Sequence, residues 1–242
     1  MIFHLTLDRF ITIYIVQSLF LAFYTVIIYR LLHERKKITH KRIVFSFYYF
    51  ISSIAIVLNY IYAAVYIYPI TNLLYLSTIY SLYFGMGIIA IFIVGIYYER
   101  KENKRIPKIQ VSFISIYGLL LLVIYFIDGA VEINDDTKWK PVVNMTFLIY
   151  CSCLLIVSFV ILLIYSYKTH NLFVETNQER IIIRNWIMFF IGILLTFIFA
   201  EFTMLNHFIN NDTVRELWSV IGGVLLILGI ILIWFGIGKK FL

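Results

Sequence analysis

Apolar residues in this chain run in seven long stretches separated by short polar breaks: Phe10–Tyr29, Ile43–Tyr66, Asn72–Tyr98, Ile109–Ile127, Val142–Tyr167, Ile181–Leu205 and Leu217–Ile237. Each approaches or exceeds the roughly 20 residues that carry a helix across about 30 Å of hydrocarbon. None alternates with the period of two that a lipid-facing strand needs, and lipid offers backbone groups no outside partner. The pattern predicts an all-α integral membrane protein, one seven-transmembrane-helix bundle occupying residues 1–242. The connections are short, and no stretch remains for a separate soluble domain.

The charges sort by side. Arg30, Arg35, Lys36, Lys37, Lys41 and Arg42 fill one gap, Arg100, Lys101, Lys104, Arg105 and Lys108 another, and Lys168, Arg180 and Arg184 a third. Lys239 and Lys240 close the chain, so sixteen of the 20 Lys and Arg residues share one side. Arg9, Lys138, Lys140 and Arg215 are the remainder. Cytoplasmic loops carry such an excess because basic residues flanking a span resist translocation. The expected topology is N-terminus outside and C-terminus cytoplasmic, in the plasma membrane of a prokaryote.

At 62% hydrophobic and 14% charged residues, the composition leaves no soluble reading. The net charge of +7 is mostly that topological label, with some attraction to anionic headgroups, and the basic loops are too short for a nucleic-acid reader. Met1–Phe10 lacks a basic n-region, so the first apolar run reads as an uncleaved helix. Cys151 and Cys153, two apart in the fifth stretch, point in different directions and read as small buried hydrophobes. Pro69, Pro107 and Pro141 fall at loops, leaving the helices free of proline kinks.

Glycine is concentrated in the third stretch (Gly85, Gly87, Gly95) and the seventh (Gly222, Gly223, Gly229, Gly236). Gly222, Gly229 and Gly236 recur every seven residues and lie along one face, where small residues let another helix approach closely. The partner expected is a neighbour in the bundle or, less simply, a second protomer.

Polar side chains collect in the outer third: Gln17, Asn59, Tyr60, Tyr75, Ser77 and Tyr125, with Asp128, Asn144 and Glu201 nearer the outer interface. One reading is an outward-facing vestibule, its candidate ligand-binding residues Asn59, Tyr125, Asn144 and Glu201. The plainer reading is that these groups meet headgroups and water, as interfacial belts do. Glu201 is the one carboxylate expected inside a span, close to the headgroups, with Arg215 its expected partner. Ionisable residues in spans are functional candidates by default.

Little else suggests chemistry. His4, His33, His40, His170 and His207 all read as loop or tail residues, which leaves a bundle haem no ligands. No HExxH, Gly-x-Ser-x-Gly or P-loop pattern occurs. No catalytic residue, cofactor or metal site is expected, and the chain does not read as an enzyme. The seventh stretch lacks the mid-helix lysine that a retinal Schiff base requires. Tyr98-Glu99-Arg100 stands where the large G-protein-coupled receptor family carries an acidic-Arg motif, but that family's proline motifs and outer cysteines are missing.

Asn177-Gln178-Glu179-Arg180-Ile181-Ile182-Ile183-Arg184 prefaces a helix containing Gly192, followed by a short polar loop, the glycine-rich Leu217–Ile237 and a basic stop. With the basic loops Arg30–Arg42 and Glu99–Lys108, this layout resembles the seven-helix N-terminal sensor module of some prokaryotic histidine kinases. The resemblance spans nearly the whole chain and implies a bundle that passes a ligand or membrane signal to the cytoplasm. Such modules usually continue into a kinase, whereas this sequence stops at Leu242, so the output is expected from a separate cytoplasmic signalling protein. The first expectation is therefore a stand-alone heptahelical sensor. A small-solute or lipid transporter is the second, and a structural subunit of a membrane complex the third.

Overall fold

The computed structural model describes residues 10–33, 40–99, 106–176 and 178–236. Seven helices long and apolar enough to cross a bilayer make this an integral membrane protein. A π-helical turn, Ile11–Val16, leads into α1 (Gln17–His33), followed by α2 (His40–Ala64) and α3 (Ile70–Glu99). Next, α4 (Ile106–Leu121) winds tighter into a 3-10 segment over Leu122–Phe126. Then come α5 (Met145–Glu175), α6 (Arg180–Ile209) and α7 (Asp212–Gly236). The end carrying connections 65–69, 127–144 and 210–211 is called the acidic end below, the opposite one the basic end.

The third helix organises the rest. Every residue from Gly85 to Ile96 is buried, so this stretch is apolar all round and sheathed all round. Its glycines admit neighbours at close range. A Cβ on Gly87 would overlap the Tyr117 ring of α4, and one on Gly95 the Gln110 amide of the same helix. Gln110 is itself buried; its Nε2 donates to the Ile91 carbonyl (3.1 Å) and its Oε1 meets His40 Nε2 (2.8 Å), tying α2, α3 and α4 together at the basic end. Around Phe45, rings of α2, α3 and α6 interlock: Phe92 stacks on it at 4.7 Å and Phe189 meets it edge-on at 5.8 Å.

The glycine face of α7 packs inside the chain, against α6. A Cβ on Gly192 would lie 2.5 Å from the Gly229 carbonyl oxygen, and one on Gly236 2.5 Å from Phe189 backbone nitrogen. Gly222 meets the Phe199 ring, whereas Gly223 has nothing within 4 Å. Backbone contact this close leaves no room for side chains in the seam. Across the bundle, Phe23 and Arg30 of α1 reach Trp234 of α7, the guanidinium 4.7 Å from the ring centre.

Several expectations need correction. The fifth span begins three residues later, because Val142–Val143 pair as a strand (β2) with Val131–Glu132 (β1) in a small antiparallel hairpin. Apolar content extended the expected span into it. The sixth helix runs on to Ile209 rather than ending at Leu205, so Glu201 lies eight residues, or about 12 Å, below its end. His170 and His207 sit within α5 and α6, not in loops, and Pro107 lies in the first turn of α4, where its missing N–H costs nothing. Cys151 is buried and Cys153 exposed, both free.

The seam gives the first expected outcome. Gly192→Ala and Gly229→Leu should each lower the melting temperature in detergent, at a cost on the order of 1–3 kcal/mol for overpacking. Gly223→Ala should hold or raise it, since a helical alanine is favoured by up to about 1 kcal/mol and meets nothing there. Equal responses at positions 192 and 223 would mean that α6 and α7 do not touch as described.

Candidate functional site

Glu201 projects from α6 toward α5. Its Oε1 accepts a hydrogen bond from Ser152 Oγ at 2.6 Å; its Oε2 is buried without a hydrogen-bond partner among the described residues. The expected partner, Arg215, is engaged elsewhere: its Nη2 donates to the Pro141 carbonyl at 2.8 Å. From α3, Tyr83 lies within the electrostatic reach of Glu201 and Cys151. Tyr83 is fully buried, and its hydroxyl also lacks a partner among the described residues. Tyr117 of α4 neighbours Tyr83 from one side and Ser158 of α5 from the other. The Glu201 carboxylate and the Ser152 hydroxyl thus meet between α6 and α5, with Tyr83 of α3 in electrostatic reach.

A polar layer sits above them toward the acidic end. Tyr75 of α3 hydrogen-bonds His207 Nδ1 of α6, and Arg215 acts on Tyr75 from α7. The 127–144 loop closes this layer. Asn72 Nδ2 holds the Val131 carbonyl at 3.0 Å and Arg215 holds that of Pro141. Lys140 bridges to Asp212 at the start of α7 (2.5 Å), with Lys138 close by at 3.7 Å.

The other three candidate residues go elsewhere. Asn59 Nδ2 donates to Gln17 Oε1 (2.9 Å), joining α2 to α1. Tyr125 donates to Ser77 Oγ (3.1 Å), joining the end of α4 to α3. Asn144 is the N-cap of α5: its Oδ1 accepts from Phe147 N at 2.7 Å, while its Nδ2 donates to the Asp128 carbonyl at 2.9 Å. An asparagine three residues before an unpaired helical N–H is a recognisable cap in sequence. Among the described residues, no hydrogen bond links Asn59, Tyr125, Asn144 and Glu201 to one another.

Sequence reasoning missed Tyr83, Ser152 and His207 as partners of the polar residues it singled out. Tyr83 and Ser152 stand in apolar helix sequence like many other hydroxyls here, and only the packing selects them. His207 was hidden by the misplaced end of α6. Among the described residues no three His, Cys, Asp or Glu side chains converge, so the site is one of oxygen atoms with a single carboxylate. At the basic end, Tyr97, Lys168, Asn171, Leu172 and Glu175 line a cleft of about 210 Å³ between α3 and α5. Comparison with protein families, curated proteins and solved structures returned no match.

The Ser152–Glu201 bond can be isolated by a double-mutant cycle. Ser152→Ala leaves a buried carboxylate without its donor and should cost about 1–3 kcal/mol. In the Glu201→Leu background the same change should cost much less, because the acceptor is gone. Additive effects on thermal unfolding would place the two side chains apart.

Proposed function

We propose that this chain is a non-enzymatic, receptor-like membrane sensor that takes a signal from the outer side or from the bilayer and delivers it to a cytoplasmic protein. The observation that carries the reading is how α6 is built. One half holds Glu201 in a hydrogen bond to Ser152 of α5, and the other half is locked to α7 through Gly192, Gly229 and Gly236. A change in what satisfies Glu201 shifts α6 relative to α5, and the seam obliges α7 to follow. Helix shifts of this kind are commonly about 1–2 Å.

In this reading the acidic end is extracytoplasmic and the basic end faces the cytoplasm of a prokaryotic cell, as the excess of Lys and Arg favours. The cleft between Tyr97 and Lys168 then lies on the output side. A transporter remains the second reading. An intramembrane carboxylate well below the helix end, with one oxygen unpaired, supports it.

Orientation is checked with cysteines at the exposed Asp136 and Glu175. Only position 136 should react with an impermeant maleimide in intact cells; labelling of position 175 alone would invert the topology. Coupling is checked by the distance between spin labels at Glu175 of α5 and Phe235 of α7, in a Cys153→Ala background. Glu201→Leu should move the distance distribution by about 1–2 Å or more. Superimposable distributions in a variant that still unfolds cooperatively would count against sensing through α6. Uptake of a solute by proteoliposomes, abolished in Glu201→Leu, would favour the transporter.

A further inference from the structure

We propose that the cleft between α3 and α5 at the basic end holds the headgroup of a phosphatidylethanolamine-type lipid, its phosphate on Lys168 and its ammonium on Glu175. Lys168, Asn171, Leu172 and Glu175 line one wall of the cleft from a single face of α5, and Tyr97 of α3 lines the other. Lys168 and Glu175 are exposed, and neither has an ion-pair partner among the described residues. Two turns, or about 10 Å along the axis, separate them. The Lys168 ammonium stands 5.0 Å from the centre of the Tyr165 ring, a cation–π contact that keeps it beside the cleft. Tyr97 is fixed against the same ring, 5.6 Å away.

The depth of the cleft points to lipid. With 31 residues, α5 is longer than the roughly 20 that cross the hydrocarbon. Counted from Met145, 20 residues lead to Tyr165, which with Tyr97, Tyr98 and Tyr167 forms a belt of the kind found at headgroup level. Lys168 to Glu175 follow directly. Toward the membrane centre the same side of α5 continues as the exposed Ile164, Val160 and Val157, a strip that acyl chains cover. A volume of about 210 Å³ is below the roughly 300–1,000 Å³ of sites that enclose a drug-sized ligand. It suits a headgroup whose tails stay in the bilayer.

The opposed charges select the headgroup. A phosphodiester accepts from Lys168 and from Asn171 Nδ2, while a primary ammonium donates to the Glu175 carboxylate and to Asn171 Oδ1. A phosphatidylglycerol headgroup brings the phosphate but leaves Glu175 facing a net negative ligand. Phosphatidylcholine brings both charges, but its quaternary ammonium has no N–H to donate.

Neither Glu201 nor movement of α6 enters this inference, so it and the sensor reading fail separately. The test uses purified full-length protein, stripped of lipid in detergent and titrated with phosphatidylethanolamine, phosphatidylglycerol or phosphatidylcholine, with bound lipid counted by native mass spectrometry. Phosphatidylethanolamine should be the first lipid retained, one per chain, at least about threefold more tightly than either of the others. Lys168→Gln combined with Glu175→Gln should weaken it by about fivefold or more. Glu175→Lys should reverse the order of phosphatidylethanolamine and phosphatidylglycerol. Glycerophosphoethanolamine, which lacks the acyl chains, should compete at least about a hundredfold more weakly. Equal retention of the three lipids, a wild-type preference for phosphatidylglycerol, undiminished binding in the double variant or an unchanged order in Glu175→Lys would each overturn the site. Competition by the free headgroup as strong as by the lipid would overturn the lipid as its source.

Discussion

A helix already in lipid gains little by touching another apolar helix, because the acyl chains it leaves are as oily as the side chains it meets. What holds this bundle together must therefore be close backbone approach, dense packing and hydrogen bonds that lipid cannot replace. The structure has all three. Twelve consecutive residues of α3, Gly85–Ile96, are removed from lipid altogether, and α6 meets α7 backbone to backbone at Gly192 and Gly229. Adjoining elements are stapled by single polar pairs: Gln17 with Asn59, Ser77 with Tyr125, Tyr75 with His207, Ser152 with Glu201, His40 with Gln110. Such bonds contribute about 0.6 kcal/mol each on average in membranes, so they specify register more than they add stability.

That constraint also explains which features could be read from the sequence. Seven helices were legible because spans must be long and apolar, and the face Gly222–Gly229–Gly236 because spacing alone puts those residues in line. Helix ends were less legible. The 142–143 strand is as apolar as a span, and α6 continues through Glu201 and His207, residues that read as the approach of a loop. The identity of polar partners was not legible at all. Asn59, Tyr125 and Asn144, expected to line a vestibule, each turn to an adjoining element instead. The lipid bilayer supplies no contrast between an apolar face that meets a helix and one that meets acyl chains, so composition could not tell them apart.

Glu201 differs from those satisfied groups. The pairs along α1–α2 and α3–α4 are complete, whereas Glu201 has one oxygen bonded and one buried without a partner among the described residues. Several buried hydroxyl and amide oxygens are also unmatched, but Glu201 is the carboxylate among them, and an unmatched carboxylate oxygen is the costliest of these groups to bury. Its position on the helix joined most tightly to α7 gives a change there a route along the bundle.

Glu201 turned inward to α5 is the feature on which sensing through α6 depends. Solid-state NMR in lipid bilayers, on protein carrying 13C-labelled glutamate and serine, addresses this directly. A short-range correlation between the Glu201 carboxyl carbon and Ser152 Cβ is expected, and it should vanish in Ser152→Ala. A Glu201 carboxyl that instead correlates with lipid or bulk water, with no serine contact, would contradict the inward site and everything argued from it.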